Sequence, residues 1–389
     1  MRLGKNAKIN RCDVFLALWV IYYLQGILYE EGGILSTGIL GVQFLISIIC
    51  AYKITKFQNL PVYFVGLNVL LLLFTIYGFA HIIMNPGKVY YLGAHASMPS
   101  YNYIKTIYLS LLPIYPFYYY SIIGLLNNNR LKCWFFVFFV SCTLTYFRMQ
   151  RDVMALKNVE EITNNSGYLF LSLFPGLVLF RKNSLLHFFL ILLLAGFIVL
   201  GMKRGAVLIA AIVLIYYFLV LMKTSRAEKK VGVLFLIASF TFLGLYFIEY
   251  RMSNSDYMMD RIYQTMEGNS SHRDDLYIYF YNHVVNEMST VKLIMGNGAN
   301  ATLKLFENYA HNDWLEIAIN QGLFGVLIYF LYWLLFYRTW KITTNSVSKI
   351  GIAMFGIIYF SKTFFSMSYG DLTYLSSSFL GFYLAMYKS

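Results

Sequence analysis

Apolar runs of about 20 residues recur along this chain, separated by short charged breaks. As a helix, a run of that length reaches across the hydrocarbon of a bilayer. Inside lipid each backbone N–H and C=O must find its partner within the protein, so an isolated run can cross only as a helix. Run length and charged breaks place the expected spans at 13–29, 34–52, 60–82, 104–126, 132–148, 166–181, 184–202, 205–222, 231–250, 314–337, 350–368 and 371–387. The expected fold class is an all-α polytopic membrane protein, with about twelve transmembrane helices and one large extracytoplasmic loop. Hydrophobic residues are 59% of the chain, charged residues 13%, and the mean hydropathy is +0.59. A soluble domain of 389 residues could not hide that much apolar surface. Residues 1–389 therefore read as a single integral membrane domain, with the loop at 251–313 inside it.

The formal charge of +13 raises nucleic acid as a partner, but the placement of the charges points to the lipid bilayer instead. With both termini cytoplasmic, one side holds 18 Lys/Arg against two acids, Asp13 and Glu228. The other side holds 13 Lys/Arg against 16 acids. That asymmetry is the positive-inside pattern of a multi-pass protein of a cytoplasmic membrane. Cys12, Cys50, Cys133 and Cys142 lie in or beside apolar runs or the basic N-terminus, so no disulfide and no metal cluster is expected. The segment before residue 13 is basic and lacks a small-residue cleavage pattern, so the first run is expected to stay as a span.

Several stretches interrupt the apolar plan. Pro113 and Pro116 predict a kink in the fourth span. The aromatic clusters at 115–120 and 135–139 read as lipid-facing and interfacial packing. A charged outer loop is expected at 148–165, where Arg148 and Arg151 lie beside the membrane and are candidates to bind an anion. Lys157, Glu160 and Glu161 read as a solvated face. Gly201-Met-Lys-Arg-Gly205 makes a tight turn that sets Lys203 and Arg204 on the outer side, against the charge trend. The stretch 251–312 is the one long hydrophilic segment, and it carries His272 and Arg273. From Arg273 to Met288 the apolar spacing predicts a surface helix lying on the membrane, with Arg273 in its first turn. His311-Asn-Asp-Trp-Leu-Glu316 then leads into a span: Asn312 or Asp313 can cap that helix, and Trp314 suits the membrane interface. Glu316 falls on the first turn, where the helix dipole favours an anion. The expected spans are nearly free of charge except for Lys362, late in the eleventh.

Arg204, Arg273 and His311 are expected on the same side. Guanidinium forks match phosphate oxygens bidentately, and two of them can hold a diphosphate as charge develops on it. A neutral imidazole can take the proton of an attacking hydroxyl. Group transfer from a diphosphate donor to an alcohol follows, with no cofactor and no metal called for. Asp274-Asp275 and Glu30-Glu31 are adjacent pairs, which do not face one another on a helix.

The order of these short motifs carries a resemblance: Lys203-Arg204-Gly205, Ser271-His-Arg273, Gly296-Asn-Gly298, His311-Asn-Asp-Trp-Leu315 and Gln321-Gly-Leu-Phe-Gly325. It resembles the O-antigen polymerase and ligase superfamily of bacterial envelopes, the Wzy-type polymerases included. Lys203 stands where Ser is common in that family, and His272 where Gly is common. The resemblance implies an undecaprenyl-diphosphate-linked oligosaccharide as donor and an active site facing the extracytoplasmic side of the bacterial inner membrane. It implies catalytic roles for His311, Arg273 and Arg204, with His as base and Arg on the diphosphate, and inversion at the anomeric carbon. Lys203, Arg148, Arg151, Asn312, His272 and Trp314 are the expected substrate-binding residues. A polymerase, working with a chain-length regulator, is the expected member. The alternatives are a ligase that hands glycan to lipid A core or protein, and a non-enzymatic flippase of lipid-linked oligosaccharide.

Overall fold

The computed structural model describes residues 9–57, 59–91, 96–155, 166–201, 203–224, 273–306, 309–366, 368–369 and 373–387. These are helical apart from turns and one short antiparallel hairpin, β1 (Lys88–Tyr91) with β2 (Ala96–Pro99). The helices are α1 (Arg11–Tyr23), α2 (Ile34–Ile54), α3 (Tyr63–Met84), α4 (Asn102–Leu111), α5 (Ile114–Ile122), α6 (Asn128–Ala155) and α7 (Ser166–Leu171). A 3-10 turn (Phe174–Phe180) leads to α8 (Ser184–Leu200) and α9 (Arg204–Thr224). After residue 272 come α10 (Arg273–Asn282), α11 (Thr290–Met295), α12 (Ala301–Phe306), α13 (Asp313–Ile342), α14 (Ser346–Phe365) and α15 (Tyr374–Ala385).

Polar residues set where the apolar helices begin. Asn10, Asn183, Asn312, Asn345 and Thr373 each accept a backbone N–H of the first turn. At α1 the box is reciprocal, because the Asp13 carboxylate also accepts from the Asn10 backbone N–H. Asp13 then pairs with Arg130 and accepts from Trp134 Nε1 at 3.0 Å, which ties α1 to α6 at one end of the bundle.

Six helices among the described residues are long and apolar enough to cross a membrane: 34–54, 63–84, 128–151, 205–224, 313–342 and 346–364. The protein is an integral membrane protein on this evidence. The other expected spans, 231–250 apart, fall on shorter or divided helices, so twelve crossings are not established among the described residues. The first is a 13-residue helix and the last a 12-residue helix. The fourth is split into α4 and α5 at Pro113, the kink that the ring and missing N–H call for. The expected span 231–250 and loop residues 251–272 lie outside the described residues, as do Lys157, Glu160 and Glu161. Arg148 and Arg151 do not lie in a loop, because α6 continues as helix to Ala155.

Contacts sort the connections between helices to two ends. One end joins Arg148 to Glu31, Tyr23 to Tyr374, Lys304 to Asn85, and Ser368 to Asp313. The other joins Asn10 to Leu125, Arg181 to Thr224, and Tyr387 to Asn59.

The aromatic clusters overturn one expectation. Tyr115, Phe117, Tyr118, Tyr120, Phe135 and Phe138 are buried in the protein rather than turned to lipid. Lipid tails are as apolar as a protein core, so hydrophobicity alone does not tell an inward face from an outward one. Outward positions are held by residues such as Leu45, Leu72, Leu219 and Leu327. Inside, tyrosine hydroxyls find partners: Tyr63 with Tyr332 at 2.9 Å, and Tyr383 donating to the Pro175 carbonyl at 2.7 Å.

Candidate active site

The first nine residues of α13 differ from the rest of the helix. Asp313, Glu316, Asn320 and Gln321 are all essentially buried, at 0 to 1% exposure. Their spacing puts Asp313, Glu316 and Asn320 on one helical face. The helix then breaks at Gly322, whose φ of 70° and ψ of −170° are non-helical. A break strips carbonyls of their intrahelical donors, which lipid cannot replace. Asn297 N–H donates to the Ile319 carbonyl at 2.8 Å, and Gly298 N–H to the Asn320 carbonyl at 2.9 Å. Gly296 (φ 79°) and Gly322 face one another closely. A Cβ on the first would strike the Asn320 carbonyl; a Cβ on the second would strike that of Ile294. The Gly296-Asn-Gly298 and Gln321-Gly-Leu-Phe-Gly325 motifs are thus two halves of one backbone junction.

The two carboxylates fasten what surrounds this half-helix. Asp313 accepts the Tyr329 hydroxyl at 2.6 Å and the Ser368 N–H at 2.9 Å, and so holds the segment after α14. Glu316 accepts the Ala310 N–H at 2.8 Å, the Asn320 side chain at 2.9 Å and the Thr302 hydroxyl. Their oxygens are committed to protein donors, the condition under which buried carboxylates are tolerated. Lys304 Nζ donates to Asn85 Oδ1 at 3.1 Å, which fixes α12 to the end of α3, and burial draws its ammonium below the ordinary lysine value.

His311 stands between Ala310, which Glu316 holds, and Asn312, which caps α13 through the N–H groups of Trp314 and Leu315. Its φ is +50°, a left-handed conformation uncommon for a residue with a Cβ. Such a conformation persists only where neighbours over-determine it, and it is found at working sites more than elsewhere. The His311 side chain is half-buried, and its carbonyl accepts the Tyr277 hydroxyl at 3.3 Å.

Tyr277 lies one helical turn after Arg273, so the start of α10 is brought beside His311. Arg273 is the first residue of α10 and Arg204 the first of α9, as the expected helix starts require; their side chains lie outside the described residues, as does all of His272. Lys203 is half-buried in the turn before α9, and its Cβ lies 3.7 Å from where a Cβ on Gly167 would stand. Trp314 is half-buried; its indole N–H donates to Thr363 Oγ1 at 3.0 Å and its ring packs on Tyr329. Arg148 donates to Glu31 at 2.8 Å and to the Gln25 carbonyl at 2.6 Å, and Arg151 follows on the same helix. Sequence reasoning missed Tyr277 and the anchoring work of Asp313 and Glu316. Carboxylates and amides spaced along one face of an apolar run were the signal for the latter.

The end of the bundle that holds His311 therefore combines a titratable group in a fixed, left-handed backbone with the two helix starts that carry arginine. No curated protein matches this chain. Residues 189–330, from α8 to beyond the Gly322 junction, match the family model described as O-antigen ligase, which supports the resemblance to the O-antigen polymerase and ligase superfamily.

Proposed function

We propose that this protein is a polysaccharide polymerase, which moves a glycan from undecaprenyl diphosphate to a sugar hydroxyl of another lipid-linked repeat unit. The observation that carries the reading is the position of His311. It lies within the stretch that matches the O-antigen ligase family, at the head of a buried polar half-helix, and its own backbone is held from both sides. In the proposed step the acceptor oxygen bonds to the anomeric carbon while the carbon–oxygen bond to the diphosphate breaks. The leaving diphosphate keeps the bonding pair, and the acceptor proton passes to the His311 imidazole. Displacement in one step inverts the anomeric centre. Arg204 and Arg273 receive the charge that grows on the leaving group. Lys203, Arg148, Arg151, His272, Asn312 and Trp314 are proposed to line the approach of the glycan. Arg148 would reach it only by exchanging Glu31 for substrate, which ranks it below the others. The reaction needs no metal in this reading, and the site faces the extracytoplasmic side of the inner membrane with both termini cytoplasmic. The residues 53–56, 130–132, 181–182 and 338–349 at the opposite end supply the basic side that this orientation requires.

The test is transfer by purified protein in lipid, given only an undecaprenyl-diphosphate repeat unit and no divalent metal. A product ladder supports the polymerase. Product that forms only after lipid A core or a protein acceptor is added identifies a ligase instead. Movement of the donor between leaflets without transfer identifies a flippase. Arg204→Lys should lose most of the transfer, because a point charge does not reproduce the bidentate fork.

A further inference from the structure

Lys362 is a cation in the membrane-spanning part of the bundle, only 3% exposed, and the proposed chemistry does not use it. An ionisable group at such a place is costly and is kept where something depends on it. Its ammonium lies 4.8 Å from the centre of the Tyr168 ring and 5.9 Å from that of Tyr359, within the range of a cation–π contact. Both rings lead to elements of the candidate site. The Tyr168 hydroxyl abuts Gly205, the residue after Arg204, so that a Cβ on Gly205 would collide with it. Gly167, its neighbour, supports the other side of the same turn at Gly201 and Lys203. Tyr359 gives its carbonyl to the Ser368 hydroxyl at 2.9 Å, and Ser368 donates its N–H to Asp313. Thr363, next to Lys362 on α14, accepts the Trp314 indole N–H.

We infer that Lys362 is a positioning residue: through Tyr168 on one side, and through Tyr359, Thr363 and Asp313 on the other, it sets the Arg204-bearing turn in place relative to the half-helix headed by His311. This inference rests on the glycan-transfer reading for its consequence, but not for its structural content. An uncharged side chain of similar length keeps the packing and loses the attraction to both rings, whereas Arg keeps a cation that stacks on aromatic faces.

The experiment compares Lys362→Met, Lys362→Arg and Tyr168→Leu with the unaltered protein in lipid, by transfer kinetics and by hydrogen exchange. Lys362→Met is expected to lower kcat by roughly ten- to thirtyfold with little change in KM for the donor, the size of a desolvated cation–π contact. Lys362→Arg should recover most of that loss, and Tyr168→Leu should resemble Lys362→Met. Backbone amides at 203–207 should exchange faster in the Met and Leu variants, while those at 346–355 in the same α14 stay as before. Full activity and unchanged exchange in Lys362→Met would overturn the inference, as would a loss that Arg does not restore. If His311→Ala and Arg204→Lys keep their transfer activity, the functional reading fails by itself, and the exchange data still decide the role of Lys362. Faster exchange throughout α14 would reduce Lys362 to a residue that holds the fold, and would also overturn the inference.

Discussion

The two halves of α13 are continuous in sequence and differ in nearly everything else. Residues 313–321 bury two carboxylates and two amides, each with protein partners, and their helix ends on carbonyls capped by another segment. Residues 323–342 are an apolar helix whose outward side chains, such as Leu323, Leu327 and Phe330, are half or more exposed to the surroundings. The outward face of the second half is placed by solvent preference, which any apolar side chain satisfies. The first half is placed by directed bonds, which few substitutions preserve. The difference teaches where the chain is intolerant: at the nine residues beside His311 and at the segments that dock on them.

The largest effect is expected from His311→Ala. Transfer should fall by roughly 10²- to 10⁴-fold, the contribution of a general base, while insertion and thermal unfolding in lipid stay near those of the unaltered protein. Normal product at matched protein level would remove His311 from the chemistry and leave the half-helix as architecture alone. Gly322→Ala comes next. A Cβ in left-handed backbone against the Ile294 carbonyl should cost about 2–4 kcal/mol and lower the midpoint of thermal unfolding. A variant as stable as the parent would show that the helix can close across the break.

Glu316→Gln sharpens the same contrast. The amide has one acceptor oxygen in place of two, so it cannot serve Ala310, Thr302 and Asn320 together, and a loss of about 1–3 kcal/mol is expected with a fall in transfer. A neutral result would mean that the backbone at His311 holds without Glu316. The smallest effect should come from Leu327→Ala in the second half. Leu327 is 64% exposed, and its truncation should change stability by no more than about 0.5 kcal/mol with unchanged transfer. A cost equal to that of Gly322→Ala would erase the distinction between the halves.

Much of this site could be read before any coordinates. The start of α13 at Asn312, the helix opening at Arg273 and the turn before Arg204 all follow from capping, periodicity and charge in the chain itself. Asp313 and Glu316 were legible only as first-turn acids, since nothing local says that their partners are Ser368, Tyr329, Thr302 and Ala310. Trp314 suits a membrane interface by type, yet Thr363 claims its N–H. Arg148 is charged and next to the membrane, yet Glu31, more than a hundred residues away, holds it.

By itself the sequence determined a helical membrane protein, the order of its apolar segments, the charge difference between its two ends and the short motifs that carry its family resemblance. These depend on solvent preference and on bonds within a few residues, and both are local properties of a chain. Tertiary structure alone decided that the aromatic clusters turn inward, that the two glycine motifs form one junction, and that Lys362 stands between the Arg204 turn and Asp313. Lipid and protein interior are equally apolar, so hydrophobicity cannot choose between them. A broken helix can find its missing donors only where another segment comes to rest against it.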